Sequence, residues 1–227
     1  QMAVKALKYA PVPVVGAPSG LGVGGGFEVL AHCDKLVVHS NSVLGLVESA
    51  VGVVPSGGGV KESYLRWYQQ TGSWDEAAWK AWMSLGYAAT GSSPELAARM
   101  QYFRIGHDET LMNRDRLLPR AIDLVRAMAS GYCPPEPPTA KLASSALAEK
   151  MDVFMQDGLA RGDFMPHDRT VAMAIAGIMT QGTGDSVEID ETELFARERS
   201  AFISLAKTPD TYARISSMMD NGTPTRN

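Results

Sequence analysis

Two glutamates stand in an apolar and glycine-rich part of this chain of 227 residues. Glu28 follows a glycine triplet and a phenylalanine, and Glu48 lies between two pairs of apolar residues. Burying a carboxylate is costly unless it finds partners, so two in one apolar stretch call for an explanation. Two carboxylates in one site suit acid–base chemistry, because one can be protonated while the other is ionised. This stretch is therefore interpreted as half of an active site for chemistry next to a carbonyl.

Each acid also has a structural interpretation. An acid in the first turn of a helix stabilises it by ~0.3–1 kcal/mol, which would account for Glu28 without any function. Glu48 would then be a surface acid at the end of a strand. Taken singly, each carboxylate is more often structural than functional. Their shared apolar setting shifts the balance toward function.

Two glycine-rich turns, residues 20–26 and 57–59, each precede a predicted helix. Backbone N–H groups at a helix start can bind a phosphate or the oxyanion of a thioester enolate. Residues 20–25 match the dinucleotide motif G-x-G-x-x-G. A dinucleotide fold also needs an acid at the end of the next strand, which here ends in His39-Ser40-Asn41. Glu28 would moreover repel the pyrophosphate, so the turn favours an oxyanion.

The pattern of elements predicts an α/β fold, with strands and glycine turns first and mostly helices later. In the first half we expect helices at residues 2–9, 27–32, 60–70 and 75–85, and strands at 12–17, 36–39 and 43–46. Later helices are expected at residues 93–100, 116–130, 142–159, 167–180, 191–205 and 210–219. Residues 134–138 are proline-rich and predict an extended spacer.

Composition excludes several classes of partner and site. The net charge is −4, so no basic surface invites nucleic acid or an anionic membrane. No segment approaches the ~20 apolar residues of a membrane helix, and we expect no signal peptide. The two cysteines, Cys33 and Cys133, fit a reducing compartment, so we expect a cytoplasmic protein. Four histidines without metal spacing predict no metal site, and His32 is expected to be a packed helix residue.

The segments GLGVGGGFEVLAHCD and LVESAVGVVPSGGGVKE resemble the signature of the enoyl-CoA hydratase/isomerase (crotonase) superfamily. The later segments LMNRDRLLPRAIDLVRAMASGYCPPEPP and TPDTYARISSMMDNGTPTRN are similar to long bacterial multifunctional 3-hydroxyacyl-CoA dehydrogenases, in which a crotonase domain comes last. The resemblance implies a partial crotonase-like spiral of ββα units at residues 1–112. A mainly helical C-terminal region would follow at residues 113–227.

The resemblance also implies roles for individual residues. Gly25 would supply an oxyanion-hole amide. Glu28 and Glu48 would be the catalytic pair, one activating water for attack on Cβ of a 2-enoyl thioester and the other handling the Cα proton.

Four further residues would bind the substrate and water. Gly24 and Val47 would line the acyl pocket, and the amides around Ser56 and Gly57 would face the water. The chain departs from the family pattern at Phe27, Val47 and Ser56. The large Phe27 is expected to shorten the acyl pocket.

The implied function is hydration of trans-2-enoyl-CoA to 3-hydroxyacyl-CoA in fatty-acid β-oxidation. Double-bond isomerisation and a non-catalytic docking module of a β-oxidation multienzyme are the alternatives. No cofactor is expected here besides the acyl-CoA substrate, and NAD would belong to an upstream dehydrogenase domain. A thiolase subunit or a second copy of the chain are further expected partners. The chain begins at Gln1 within a helical pattern, and the family's second oxyanion amide comes from further upstream, so we expect the chain alone to be inactive.

Overall fold

The structure is a computed structural model that describes residues 1–181 and 187–227. Its contacts divide the chain into two units, each built from two segments. The first unit, called here the strand unit, comprises Gln1–Leu46 and Thr90–Pro137. The second, called here the helix unit, comprises Val47–Ala89 and Pro138–Asn227. The predicted division after residue 112 concerns sequence resemblance rather than contacts, and it stays a prediction.

The helices and strands of the described residues are numbered here in chain order. The helices are α1 (Met2–Lys8), α2 (Gly25–Ala31), α3 (Gly59–Thr71), α4 (Trp74–Gly86), α5 (Pro94–Ala98), α6 (Leu117–Ala129), α7 (Ser145–Arg161), α8 (Pro166–Met179), α9 (Glu191–Ala206) and α10 (Pro209–Asn221). The strands are β1 (Val15–Gly16), β2 (Leu21–Val23), β3 (Lys35–His39), β4 (Val43–Gly45), β5 (Thr90–Gly91), β6 (Glu109–Leu111), β7 (Thr139–Lys141) and β8 (Glu188–Asp190). Two short 3-10 helices lie at Glu48–Val51 and Arg114–Arg116.

The strand unit contains two small sheets. In one, β1 and β6 both run parallel to the central β3. In the other, β2 runs parallel to β4, and β5 pairs with β4 in the antiparallel direction. Strand pairs followed by a packed helix confirm the predicted α/β class.

Strand β2 lies inside the glycine turn that the sequence predicts as irregular. Its residues pair in register with Val43, Leu44 and Gly45. A Cβ at Gly22 would lie 2.9 Å from a methyl of Leu30 and 3.0 Å from a methyl of Leu44, so the close packing there needs glycine. The middle of the G-x-G-x-x-G match is therefore a strand, whereas a dinucleotide site needs a turn between strand and helix.

The core of the strand unit forms where α6 covers β3. Val37 of β3 and Leu117 and Leu124 of α6 are buried together, and Val15 and Leu111 pack against them. The helix predicted at residues 116–130 is thus confirmed, and its apolar spacing faces the sheet.

The helix unit packs α3 against α4, and α4 against α8. Trp82 on α4 is buried and donates its indole N–H to the carbonyl of Ala172 on α8, at 2.7 Å. Strands β7 and β8 form an antiparallel pair. All four helices predicted after residue 140 are present. Among the described residues, no helix has both the length and the apolarity needed to cross a bilayer.

Five of the ten helices in the described part of the chain carry a capping side chain, and α2 and α3 are among those that do not. Five helices begin after a residue whose side-chain oxygen accepts an N–H of the first turn: Ser73, Ser93, Ser144, Asp190 and Thr208. Gly24 and Gly58 hold the corresponding position before α2 and α3 and have no side chain to do this. The donors at these two helix starts need other acceptors.

Gly91 offers a test of the packing between β5 and α5. A Cβ at this position would clash with the backbone nitrogen of Ala97, so Gly91→Ala should lower the free energy of unfolding. Overpacking of this kind costs about 1–3 kcal/mol. Urea unfolding followed by circular dichroism measures the change.

Gly86→Ala is the matched control, because a Cβ at that helical position meets no atom within 4 Å. It should be neutral or raise stability by up to about 1 kcal/mol. A Gly91→Ala protein as stable as wild type would contradict the packing described here.

Candidate functional site

Gly24, Gly25 and Glu28 lie together at the start of α2 in the strand unit. Gly24 has φ 58° and ψ −134°, a backbone conformation that favours glycine. Its N–H donates to the carbonyl of Gly45 at the end of β4, over 2.9 Å, and its carbonyl accepts the N–H of Glu28. The turn is therefore fixed between a strand and the first turn of a helix.

The Glu28 side chain is buried and turns back toward the helix start. A Cβ placed on Gly25 would be 4.0 Å from Glu28 Oε2, so the carboxylate lies close to this glycine. The first-turn position of Glu28 agrees with the structural interpretation of a dipole-stabilising acid. That interpretation does not account for the burial of Glu28, because an exposed acid at the same position would stabilise the helix dipole equally well.

The residues around Glu28 are core residues of the strand unit. Phe27 is buried and packs edge-on against Tyr102, with ring centroids 4.7 Å apart. His32 is buried and its Nδ1 lies 2.7 Å from the carbonyl oxygen of Glu28. The prediction that His32 is a packed helix residue is thus confirmed. Cys33 is also buried.

Val47 and Glu48 lie in the helix unit, where Glu48 begins a 3-10 helix rather than ending a strand. Its side chain is half-buried. Ser49 next to it is buried and donates its hydroxyl to the carbonyl of Leu85, over 2.6 Å. The N–H of Val53 donates to the carbonyl of Glu48, at 3.2 Å. The backbone around Glu48 is therefore fixed by local and long-range hydrogen bonds.

The 3-10 helix ends at Gly52, which is held by side chains from much later in the chain. Gly52 has φ 86°, in the left-handed region. Thr211 at the start of α10 donates its hydroxyl to the Gly52 carbonyl at 2.7 Å. His167 Nε2 is 2.8 Å from the same hydroxyl oxygen. Because the hydroxyl proton goes to Gly52, His167 must donate from Nε2.

The second glycine turn, residues 57–59, leads into α3. Gly58 has φ 101° and caps the helix without a side chain. Its N–H and that of Lys61 donate to the two carboxylate oxygens of Glu198 on α9, each at 2.7 Å. Glu198 is completely buried. An anion does occupy this helix start, and it is a carboxylate of the chain itself.

A buried lysine lies beside this contact. Lys61 Nζ donates to Glu191 at 2.7 Å and also to Glu62, and it lies 4.7 Å from the ring centre of Phe195. Burial by itself would lower the pKa of Lys61. Glu62 and Glu191 outweigh that effect, so the pKa is raised and the ammonium stays charged.

The structure thus groups the predicted site residues in two sets. Gly24, Gly25 and Glu28 belong to the strand unit. Val47, Glu48, Ser56 and Gly57 belong to the helix unit. Glu28 and Glu48 lie in different units, so the convergence of their carboxylates stays a prediction, as do the individual roles of these residues.

Sequence reasoning missed three residues that support the second set, namely His167, Glu198 and Thr211. One signal was available. Glu191 and Glu198 are seven residues apart and lie on the same apolar side of the predicted helix as Leu194. Two acids on a buried helical face predict a partner with buried donors.

Comparisons with known proteins show which proteins this chain resembles. The family model described as "Enoyl-CoA hydratase/isomerase" matches residues 1–71. A Bacillus subtilis protein named "Probable 3-hydroxyacyl-CoA dehydrogenase" is 30% identical over 223 residues, which are 97% of this chain and 28% of that protein. The "Fatty acid oxidation complex subunit alpha" of Idiomarina loihiensis is 28% identical over 125 residues, covering 55% of this chain and 15% of that protein.

A solved structure shows the same fold. An enoyl-CoA hydratase from Mycobacterium avium subsp. paratuberculosis superposes with a TM-score of 0.56 at 15% identity, covering 99% of this chain and 69% of that one. The fold of the chain is therefore that of a crotonase-type structure. Residues 1–71 of the chain belong to the enoyl-CoA hydratase/isomerase (crotonase) superfamily. It spans less than a third of the length of the dehydrogenase relative that it matches.

The His167 contact predicts a pH dependence of stability. Burial and the nearby Arg214 lower the pKa of His167, although Asp210 and Asp168 partly oppose them. The unfolded chain therefore binds the proton more readily than the folded one. This part of the stability is fully present above the ordinary pKa of about 6.5 and is lost as the pH falls below it.

His167→Gln keeps an N–H donor near the position of Nε2 but does not titrate. Urea unfolding at about pH 7.5 and about pH 5.5 should show a smaller loss of stability for this variant than for wild type. Equal losses in the two proteins would contradict the effect described for His167.

Proposed function

We propose that this chain carries the enoyl-CoA hydratase region of a longer 3-hydroxyacyl-CoA dehydrogenase. It would hydrate trans-2-enoyl-CoA to 3-hydroxyacyl-CoA in fatty-acid β-oxidation. The observation that carries the proposal is that Glu28, Glu48 and both glycine turns all lie within residues 1–71, the part matched by the family model.

In the proposed reaction, water adds across the double bond next to the thioester carbonyl. One of Glu28 and Glu48 accepts a proton from water as the water oxygen bonds to Cβ. Electron density moves to the thioester oxygen, giving an enolate. The other glutamate, protonated at the start, then donates its proton to Cα. Substrate gains one OH and one H, and the proton that the pair loses to Cα equals the one it gains from water.

The start of α2 suits stabilisation of this enolate. In a short helix begun by Gly24 and Gly25, the first N–H groups have no intrahelical acceptor. The Gly25 N–H is proposed to donate to the thioester oxygen. A single donor of this type is worth about 10²–10³ in rate, and a glycine lets the thioester approach the backbone closely. Glu28, folded back toward Gly25, would place its carboxyl group near the reacting carbons.

The dehydrogenase relative supports a place in a two-step sequence. Hydration produces a 3-hydroxyacyl thioester, and a 3-hydroxyacyl-CoA dehydrogenase oxidises that product. We propose that the dehydrogenase step and its NAD belong to another domain of the same polypeptide. The substrate of the present region would be the acyl-CoA thioester alone.

Isomerisation of an enoyl-CoA double bond is the second candidate, because the matching family model covers both reactions. Isomerisation moves a proton between two carbons and needs one acid–base group. Hydration uses two, one for water and one for Cα. Retention of both Glu28 and Glu48 favours hydration.

Glu28→Gln and Glu48→Gln test the proposal in the full-length protein. Each removes a group that gains or loses a proton while keeping the size of the side chain. Since acid–base groups contribute about 10²–10⁴ in rate, each variant should lose hydration of crotonyl-CoA by at least about 10²-fold. Consumption of the enoyl thioester, followed by its ultraviolet absorbance, measures the rate.

Glu95→Gln is the matched control, because Glu95 is an exposed acid in the first turn of α5 and should leave the rate unchanged. An isomerase would convert 3-enoyl-CoA and keep that activity in one of the two variants. Unchanged turnover in both variants would show that neither glutamate takes part in hydration and would contradict the proposal.

A further inference from the structure

We propose that Glu198 of α9 is a positioning residue for the second glycine turn, and that the helical end of the chain thereby holds the Glu48 segment in place. The catalytic consequence rests on the proposed function. The structural part does not, because every contact involved lies within the helix unit.

The glycine turn cannot fix itself. Helix α3 is 13 residues long and begins after Gly58, which offers no capping side chain and holds φ at 101°. The turn before it contains glycine at 57, 58 and 59, so its backbone has more conformational freedom than any other sequence would allow. The position of these amides must therefore be set by a contact from elsewhere.

Glu198 supplies that contact from 140 positions further along the chain. Its two oxygens each accept one backbone N–H, from Gly58 and from Lys61, both at 2.7 Å. The carboxylate is completely buried, so water does not compete for these bonds. Charge-assisted hydrogen bonds of this kind are roughly twice as strong as neutral ones.

Packing alone does not require a carboxylate at position 198. The buried face of α9 includes Leu194, Phe195 and Leu205, and an apolar side chain would continue that face. A carboxylate there is costly without donors. When the carboxylate accepts hydrogen bonds from two amides at the start of α3, the buried acid gains donors and the helix amides gain an acceptor.

A second contact fixes the same turn of α3 through its side chain. Lys61 reaches Glu191, which lies two helical turns before Glu198 on the buried face of α9. Helix α9 thus holds the start of α3 at the backbone and at Lys61. The turn at residues 56–58 has little freedom to move while both contacts persist.

The other end of the candidate segment is held in the same manner. Thr211 donates to the carbonyl of Gly52, which closes the 3-10 helix that Glu48 begins. Two buried side chains, Thr211 of α10 and Glu198 of α9, therefore hold the backbone at Gly52 and Gly58, which both follow Glu48. A shift of about 1 Å in a site can cost about 10²-fold in rate, so these contacts bear on catalysis.

The test compares Glu198→Ala and Glu198→Gln with wild type in the full-length protein. Hydrogen–deuterium exchange by mass spectrometry reports on residues 56–61, and steady-state kinetics with crotonyl-CoA report kcat and KM separately. Met151→Ala is the matched control, because Met151 is completely buried in α7 of the same unit, whereas the carboxylate bonded to the turn comes from α9. It controls for a general loss of stability.

We expect exchange at residues 56–61 to rise at least about tenfold in Glu198→Ala, with a smaller rise in Glu198→Gln, which keeps one acceptor oxygen. Measured kcat should fall by about 10–10²-fold in the alanine variant, with KM changed less than about threefold. Met151→Ala should leave both readouts close to wild type at a denaturant concentration that equalises global stability.

Unchanged exchange at residues 56–61 in both Glu198 variants would overturn the proposal, as would an equal rise in Met151→Ala. If wild type fails to hydrate the thioester, the proposed function falls while the exchange data still decide the role of Glu198. If the alanine variant fails to fold, the glutamine variant decides by the same two readouts.

Discussion

The need to pair buried carboxylates with backbone donors governs the part of this chain that carries its candidate chemistry. Glycine starts two helices without a side-chain cap, and a glutamate is buried near each start. At α3 the match is complete, because Glu198 accepts the N–H groups of Gly58 and Lys61. At α2 the acid belongs to the helix itself, and Glu28 folds back toward Gly25. The same physical rule thus gives one start a structural anion and the other a candidate catalytic one.

This difference separates the two glycine turns, which look alike in the sequence. At the second turn, backbone N–H groups donate to the carboxylate of Glu198, which fixes the turn within the helix unit. The first turn follows a paired strand, β2, and is tied to β4 through the N–H of Gly24. Glycine at 24 and 25 leaves its backbone open to close approach by a ligand. An oxyanion role fits the first turn, and a supporting role fits the amides at the start of α3.

The helical end of the chain gains a role from these contacts. A tail of amphipathic helices after a catalytic core is easily regarded as a docking element. Here α9 and α10 supply Glu198 and Thr211, whose side chains bind backbone groups of Gly58 and Gly52, in the segment that follows Glu48. Such contacts couple the stability of the helices to the geometry of a candidate site, since loosening of the helices would free the loop. His167 adds a pH-sensitive member to the same set of contacts.

Local patterns in the sequence determined most of the elements. Apolar spacing predicted the long helices within a few residues, because this signal acts over one or two turns. The spacing of Glu28, Glu48 and the two glycine turns was enough to indicate the crotonase superfamily. Strand β2 was missed because Leu21-Gly22-Val23 has the composition of a turn, and only its pairing with Val43–Gly45 makes it a strand.

Tertiary structure alone decided what satisfies the buried polar groups. No local rule connects Glu198 to Gly58 or Thr211 to Gly52, which are 140 and 159 positions apart. A residue's type states that it needs a donor or an acceptor, but the partner is whichever group the folded chain brings within hydrogen-bond distance. The sequence therefore specified which residues could do chemistry, and the packing of α9 and α10 specified how the segment around Glu48 is held.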